Sequence, residues 1–230
     1  MTLRTGAITA LVVTVVLGMI SNLLFLWAFE FRLDWFVDPA RLVAAGPATP
    51  GLFRWAALTD LFSYYLPTGI VALALWHVLR PRSPALADLA TLGALGYVLA
   101  GSIGAVSLAI GGPILLQAYA APGADQASIA TAFAVLIEVV WHGVWQILDP
   151  VLIGTWLIGV GLLIRADQPA FARLSLALGG CAWLATVFNV LELGIARDVA
   201  LGLVFGLWAA WSIWLILLLG RRRAPFAALA

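Results

Sequence analysis

The chain has 230 residues, of which 64% are apolar and only 10% are charged, and its mean hydropathy is +1.08. A soluble domain is typically about one quarter charged, so this composition excludes a water-soluble globular protein and indicates one that is solvated by lipid. The formal net charge of +1 excludes a strongly basic surface for nucleic acid. We therefore expect an all-α, polytopic transmembrane bundle whose partners are membrane lipids.

Six apolar segments predict six membrane-crossing helices in a single domain, residues 1–230. A helix needs about 20 residues to cross the hydrocarbon core. The predicted helices cover residues 6–29, 52–79, 87–119, 128–164, 170–193 and 199–220. The fourth would be about 55 Å long, which exceeds the core thickness of about 30 Å. Because the part after Pro150 is too short to cross alone, we expect one tilted helix with a kink at this proline.

The arginines predict which ends of the helices face the cytoplasm. With an inside N terminus, eight arginines fall on the inside, namely Arg4, Arg80, Arg82, Arg165, Arg173, Arg221, Arg222 and Arg223. Four fall on the outside, namely Arg32, Arg41, Arg54 and Arg197. Since basic residues accumulate on the cytoplasmic side, six crossings with both termini in the cytoplasm are expected. The protein is predicted to lie in the bacterial cytoplasmic (inner) membrane.

Polar side chains concentrate in the predicted outer half of the helices. Polar and ionisable groups are costly in a membrane, and they normally face the bundle interior. The candidates for an outward-facing pocket are Asn22, Asp60, Tyr64, Glu138, His142, Gln146, Asn189 and Glu192. In an α-helix Glu138, His142, Gln146 and Asp149 would form one stripe. We expect Asp60, Glu138, His142 and Glu192 to form one connected cluster, either as a ligand pocket or as contacts that hold the helices together.

The residue types limit the cofactors. All 12 basic residues are arginine, so no lysine can form a Schiff base with retinal or pyridoxal phosphate. The two histidines, His77 and His142, are predicted near opposite membrane faces, which argues against a bis-histidine haem. A metal site at His142 would need carboxylates from other helices, and no metal is predicted. The pair Glu138 and His142, one helical turn apart, also suits proton exchange.

Small residues form two ridges that predict close helix packing. The third helix carries Gly96, Ala100 and Gly104, and the sixth carries Gly202 and Gly206. Such ridges let helix backbones approach closely. We expect both ridges to pack within the bundle. The alternative for the sixth helix is contact with a second copy of the chain or with a larger membrane complex.

Two stretches carry a family resemblance. The first stretch comprises Leu52-Phe53-Arg54, Asp60 and the end of that helix at Leu79-Arg80-Pro81. The second comprises Ile153-Gly154-Thr155-Trp156 and the later pair Gly179-Gly180. Over residues 50–190 the chain resembles an uncharacterised family of small bacterial six-helix membrane proteins, a domain of unknown function. The resemblance implies the topology only. It implies no activity and no catalytic residues.

Three classes of function remain open from the sequence. The first is a binding, sensing or accessory subunit that holds a small molecule or a lipid in an outward-facing pocket. The second is a proton- or cation-coupled transporter of small molecules, which would need a polar path through the nearly apolar inner half. The third is a membrane enzyme that acts on a lipid at the outer leaflet.

Overall fold

The computed structural model describes residues 2–222 and 224–229, so Arg223 of the terminal arginine group lies outside the described residues. Within these ranges the chain forms helices and no β-strand. Six helices are long and apolar enough to cross a membrane, which confirms the predicted all-α transmembrane bundle. They are α1 (Leu3–Ala28), α2 (Thr49–Leu79), α3 (Pro84–Tyr119), α4 (Gln126–Ile164), α5 (Pro169–Val190) and α6 (Gly194–Gly220).

The segments outside the long helices contain short helical turns. The connection from α1 to α2 holds one helical turn, Asp34–Val37, and a 3-10 helix, Pro39–Ala44. A second 3-10 helix, Phe226–Ala228, follows α6. Asp125 caps α4 by accepting hydrogen bonds from the amide and the hydroxyl of Ser128, and these bonds lower the pKa of the Asp125 carboxyl.

Neighbouring helices run antiparallel, as contacts along α1 and α2 show. Gly18 lies against Tyr64, whereas Phe25, seven residues later, lies 5.9 Å from the ring of Phe53. The bundle therefore has two ends. At one end α1, α3 and α5 finish and α2, α4 and α6 begin. We call this end the cavity half, because the cavity described in the next section lies there. The opposite end is the packed half.

Glycines of α4 make the packed half dense. A Cβ added at Gly159 would overlap Ala90 of α3, and one at Gly154 would lie 2.9 Å from the carbonyl oxygen of Gly179 on α5. Such contacts let three helix backbones approach closely. Trp156 is 1% exposed within this packing. The packed half is therefore filled by side chains.

The two small-residue ridges differ in their contacts. A Cβ at Gly96 would lie 3.0 Å from Leu152, and one at Gly104 would lie 3.0 Å from Trp145, so the predicted ridge on α3 does pack against α4. The same prediction for α6 is wrong. A Cβ at Gly202 or Gly206 would meet no other described atom within 4 Å, apart from its own helical neighbours. The α6 glycines face out of the bundle, so the alternative of an intermolecular contact stays a prediction.

Two helices contain π-helical segments, each just before a proline. The α2 π-segment is Leu61–Tyr65, before Pro67, and the α4 π-segment is Glu138–Leu148, before Pro150. Proline lacks an amide hydrogen and crowds the carbonyl of the preceding turn. A π-helical turn, with its i→i+5 hydrogen bonds, is a local register that accommodates such a residue. Residues 126–164 therefore form one uninterrupted helix in the described chain.

Candidate functional site

A cavity of about 370 Å³ lies in the cavity half, among α1, α2, α3, α4 and α6. Its volume is within the range of small-molecule sites. Both π-segments contribute to its lining, through Tyr64 and Tyr65 on α2 and through Trp141, Trp145 and Gln146 on α4. Because π-helical turns occur frequently at functional sites, this cavity is the candidate site of the protein.

Glycines on the neighbouring helices make room for the aromatic side chains of the site. A Cβ at Gly18 of α1 would lie 2.8 Å from the hydroxyl oxygen of Tyr64. A Cβ at Gly101 of α3 would overlap the ring of Tyr65. The positions of both tyrosines thus depend on residues without a side chain on the facing helix.

Three hydrogen bonds hold polar groups of the lining. The hydroxyl of Tyr65 donates to Oδ2 of Asp149 over 2.8 Å, and this bond joins α2 to α4. The hydroxyl of Ser21 lies 3.0 Å from the carbonyl oxygen of Ala56 and 3.4 Å from Oδ1 of Asp60, so its single proton is shared between two acceptors. The side-chain amide of Asn22 donates to the hydroxyl of Tyr64 over 3.2 Å. Interhelical hydrogen bonds of this kind orient side chains within membrane bundles.

Two buried acceptors of the lining have no partner among the described residues. Oδ1 of Asp149 and Oε1 of Gln146 are shielded from solvent, and neither accepts a hydrogen bond. The residues are only 5% and 9% exposed. An unpartnered buried acceptor costs free energy, and a donor brought by a bound molecule would remove that cost.

The walls of the cavity are largely aromatic. Half of its sixteen lining residues carry an aromatic ring, namely Phe25, Tyr64, Tyr65, Tyr97, Trp141, Trp145, Phe205 and Trp208. Phe25 meets Trp141 edge to face with ring centroids 5.7 Å apart, and Trp141 lies 5.2 Å from Trp145. These contacts fix the wall formed by α1 and α4.

The cavity has one closed end and one exposed side. Trp208 lines it and stacks on the fully buried Trp211, and this pair continues into the packed half. By contrast, Asn22 on α1 and Phe205 on α6 both line the cavity and are exposed on the bundle surface. A molecule in the surrounding lipid would therefore meet the cavity between α1 and α6.

The structure divides the eight pocket candidates into two groups. Four line the cavity, namely Asn22, Asp60, Tyr64 and Gln146. The other four, Glu138, His142, Asn189 and Glu192, do not line it. The expected single cluster of Asp60, Glu138, His142 and Glu192 is therefore not formed around this cavity. Whether any of the eight binds a ligand stays a prediction.

The α4 π-segment accounts for the position of Glu138 relative to Asp149. Eleven residues separate Glu138 from Asp149, which is close to three turns of an α-helix at 3.6 residues per turn. The same eleven residues make only about two and a half turns with the longer π-helical repeat. Glu138 is consequently rotated away from Asp149, and its side chain is 69% exposed while Asp149 is buried.

The second group makes contacts of its own at the beginning of α4 and the end of α5. Nδ1 of His142 lies 3.0 Å from Oε2 of Glu138. The side-chain amide of Asn189 donates to the carbonyl of His142 over 3.5 Å and accepts from Arg197 over 3.2 Å. Glu192 is exposed in the turn that follows α5, with a φ of +57°. Asn189 thus links three helices.

Twelve of the sixteen lining residues were absent from the sequence-based candidates, and three of these carry a carboxyl or phenol group, namely Tyr65, Tyr97 and Asp149. Asp149 belonged to the predicted polar stripe of the fourth helix but was not among the eight pocket candidates. The signal that could have found Tyr65 and Asp149 is their position one or two residues before Pro67 and Pro150. No such signal marks Tyr97, whose ring lies 4.8 Å from that of Tyr65.

Comparisons with known proteins add no relative: no protein-family model, no curated protein and no solved structure matches the chain. Within residues 2–222 and 224–229, no three histidine, cysteine or acidic side chains are grouped so that they could hold a metal ion. The six long apolar helices define a multi-pass integral membrane protein.

Proposed function

We propose that this protein binds a small amphiphilic molecule in the cavity of its cavity half and acts as a binding, sensing or accessory subunit. The observation that supports this proposal most directly is the pair of unpartnered buried acceptors, on Asp149 and Gln146, in a cavity of ligand size. Buried polar atoms of a folded protein usually have a partner, so a bound molecule that supplies a donor would stabilise both groups.

The closed end of the cavity favours binding over transport. A transporter needs a path through both halves of the bundle, whereas α3, α4 and α5 approach closely around Gly154 and Gly159. The apolar walls favour a ligand with an apolar body, and the exposed side between α1 and α6 favours access from the lipid.

The test uses three probes with the same aromatic body: naphthylmethylamine, naphthylmethanol and naphthylacetate. Calorimetric titration into protein in phosphatidylcholine nanodiscs, with empty nanodiscs as the blank, measures saturable binding. We expect at least one probe to bind with a stoichiometry near one. Leu201→Trp places an indole into the cavity and should abolish this binding.

Leu203→Trp is the matched control, because Leu203 lies two residues away on α6 and is exposed outside the cavity lining. It should bind the probe as the parent protein does. Absence of saturable binding for all three probes would refute the proposal, as would binding that Leu201→Trp leaves unchanged.

A further inference from the structure

We infer that the ligand of this cavity is a protonated amine carried on an apolar body. The inference rests on the proposed function and adds the chemical class of the ligand. Two acidic side chains, those of Asp60 and Asp149, line the cavity. Among the described residues of the lining, none is an arginine or a histidine that could compensate them.

The unpartnered atoms of α4 call for a donor. Oδ1 of Asp149 and Oε1 of Gln146 have no partner among the described residues, and both residues line the cavity from α4. An ammonium group placed beside Asp149 would donate hydrogen bonds to its carboxyl group and would favour the ionised form of that group. Charge-assisted hydrogen bonds are about twice as strong as neutral ones.

An anionic ligand or a bare inorganic cation matches the lining of this cavity less well than an organic amine does. A carboxylate or phosphate in this cavity would find no arginine or histidine in the lining to balance its charge. Two indole N–H groups of the lining, those of Trp145 and Trp208, also have no partner. If the amine ligand also carries an uncharged oxygen, these groups are its hydrogen-bond donors. An inorganic cation alone would leave most of the 370 Å³ unfilled.

The aromatic walls favour the same class. A cation is attracted to the face of a tryptophan or tyrosine ring, and the attraction grows when water is excluded. Tyr65, Tyr97, Trp141 and Trp145 all line the cavity beside the acidic groups. An amine with an apolar body would thus satisfy the acceptors, the charge and the walls together.

The test compares naphthylmethylamine with naphthylmethanol, which has the same body without the charge. In phosphatidylcholine nanodiscs we expect the amine to bind the parent protein at least tenfold more tightly than the alcohol. Asp149→Asn keeps an acceptor for Tyr65 but removes the charge. It should weaken amine binding at least tenfold and change alcohol binding less than twofold.

Asp60→Asn is the second variant and should also weaken amine binding selectively, which keeps the inference testable if Asp149→Asn does not fold. Equal binding of amine and alcohol, or an amine preference that survives in every folded variant, would overturn the inference while the proposed function stands. If neither probe nor naphthylacetate binds, both fail together.

A protonated amine can be a free molecule or a lipid headgroup such as phosphatidylethanolamine. A second set of titrations therefore uses nanodiscs in which part of the phosphatidylcholine is replaced by phosphatidylethanolamine. Weaker binding of naphthylmethylamine in these nanodiscs would support the inference with a lipid amine as the occupant. Unchanged, selective binding would support it with a free amine.

Discussion

The hydroxyl of Tyr65 donates a hydrogen bond of 2.8 Å to Oδ2 of Asp149, and this contact joins the two π-helical segments of the bundle. The other carboxylate oxygen of Asp149 is left without a partner beside the cavity. One bond therefore both ties α2 to α4 and orients the acidic group of the candidate site.

Removal of the Tyr65 hydroxyl should weaken the bundle measurably. Tyr65→Phe would leave both oxygens of the buried Asp149 carboxyl unpartnered. Interhelical hydrogen bonds in membrane proteins contribute about 0.6 kcal/mol on average and up to about 1.7 kcal/mol, so we expect a loss of unfolding free energy within this range. Equilibrium unfolding in mixed micelles measures it.

Tyr97→Phe is the matched control for that change. The ring of Tyr97 lies against Tyr65, but its hydroxyl makes no hydrogen bond with the described residues. Its removal should therefore be close to neutral. A larger loss for Tyr97→Phe than for Tyr65→Phe would contradict the role given to the Tyr65 bond.

The glycine that accommodates the Tyr65 ring should tolerate no side chain. Gly101→Ala would force the ring of Tyr65 to move, because the added Cβ would overlap it. Overpacking of a buried site costs about 1 to 3 kcal/mol. Gly180→Ala, on the open side of α5, should leave unfolding unchanged or slightly improved. Equal stability of the two variants would show that Tyr65 does not occupy this position.

A large side chain at Gly159 should destabilise the packed half, whereas the same side chain at Gly202 of α6 should not lower stability. Gly159→Leu would push α4 from Ala90 of α3, whereas Gly202→Leu adds the same atoms where no neighbour lies within 4 Å. We expect a marked fall in the unfolding midpoint for the first variant only. Cross-linking of Gly202→Leu in membranes would separately show whether the outward face of α6 meets a second chain.

Glu138 should be dispensable for binding in the cavity. Its side chain is exposed and is paired with His142 outside the lining. We expect Glu138→Gln to change the affinity for naphthylmethylamine less than twofold in the nanodisc titration. A loss as large as that of Asp149→Asn would place Glu138 in the binding site and would restore the single cluster expected from the sequence.

The topology is testable with reporter fusions. The arginine distribution predicts that fusions after Arg82 and after Arg223 report from the cytoplasm and that a fusion after Gly123 reports from outside. Alkaline phosphatase activity at Gly123, with none at the other two sites, is the expected pattern. Activity at Arg82 would reverse the orientation, and the cavity half would then face the cytoplasm.

The amino-acid sequence by itself determined the class of the fold. In a bilayer every backbone polar group must be paired within the protein, so apolar segments of sufficient length have little choice but to form helices. The six segments and the continuity of the fourth through Pro150 follow from this constraint. Gly96 and Gly104 on α3 also predicted close packing, because small residues serve that purpose in membranes.

The tertiary structure decided which polar groups meet. The sequence placed Glu138 and Asp149 on one face because an α-helical repeat was assumed, and the π-segment moved them to different faces. The contact between Tyr65 and Asp149, and the space that Gly101 leaves for it, join residues far apart in the chain. Hydropathy carries no information on such pairings, since they depend on the rotation of each helix about its own axis.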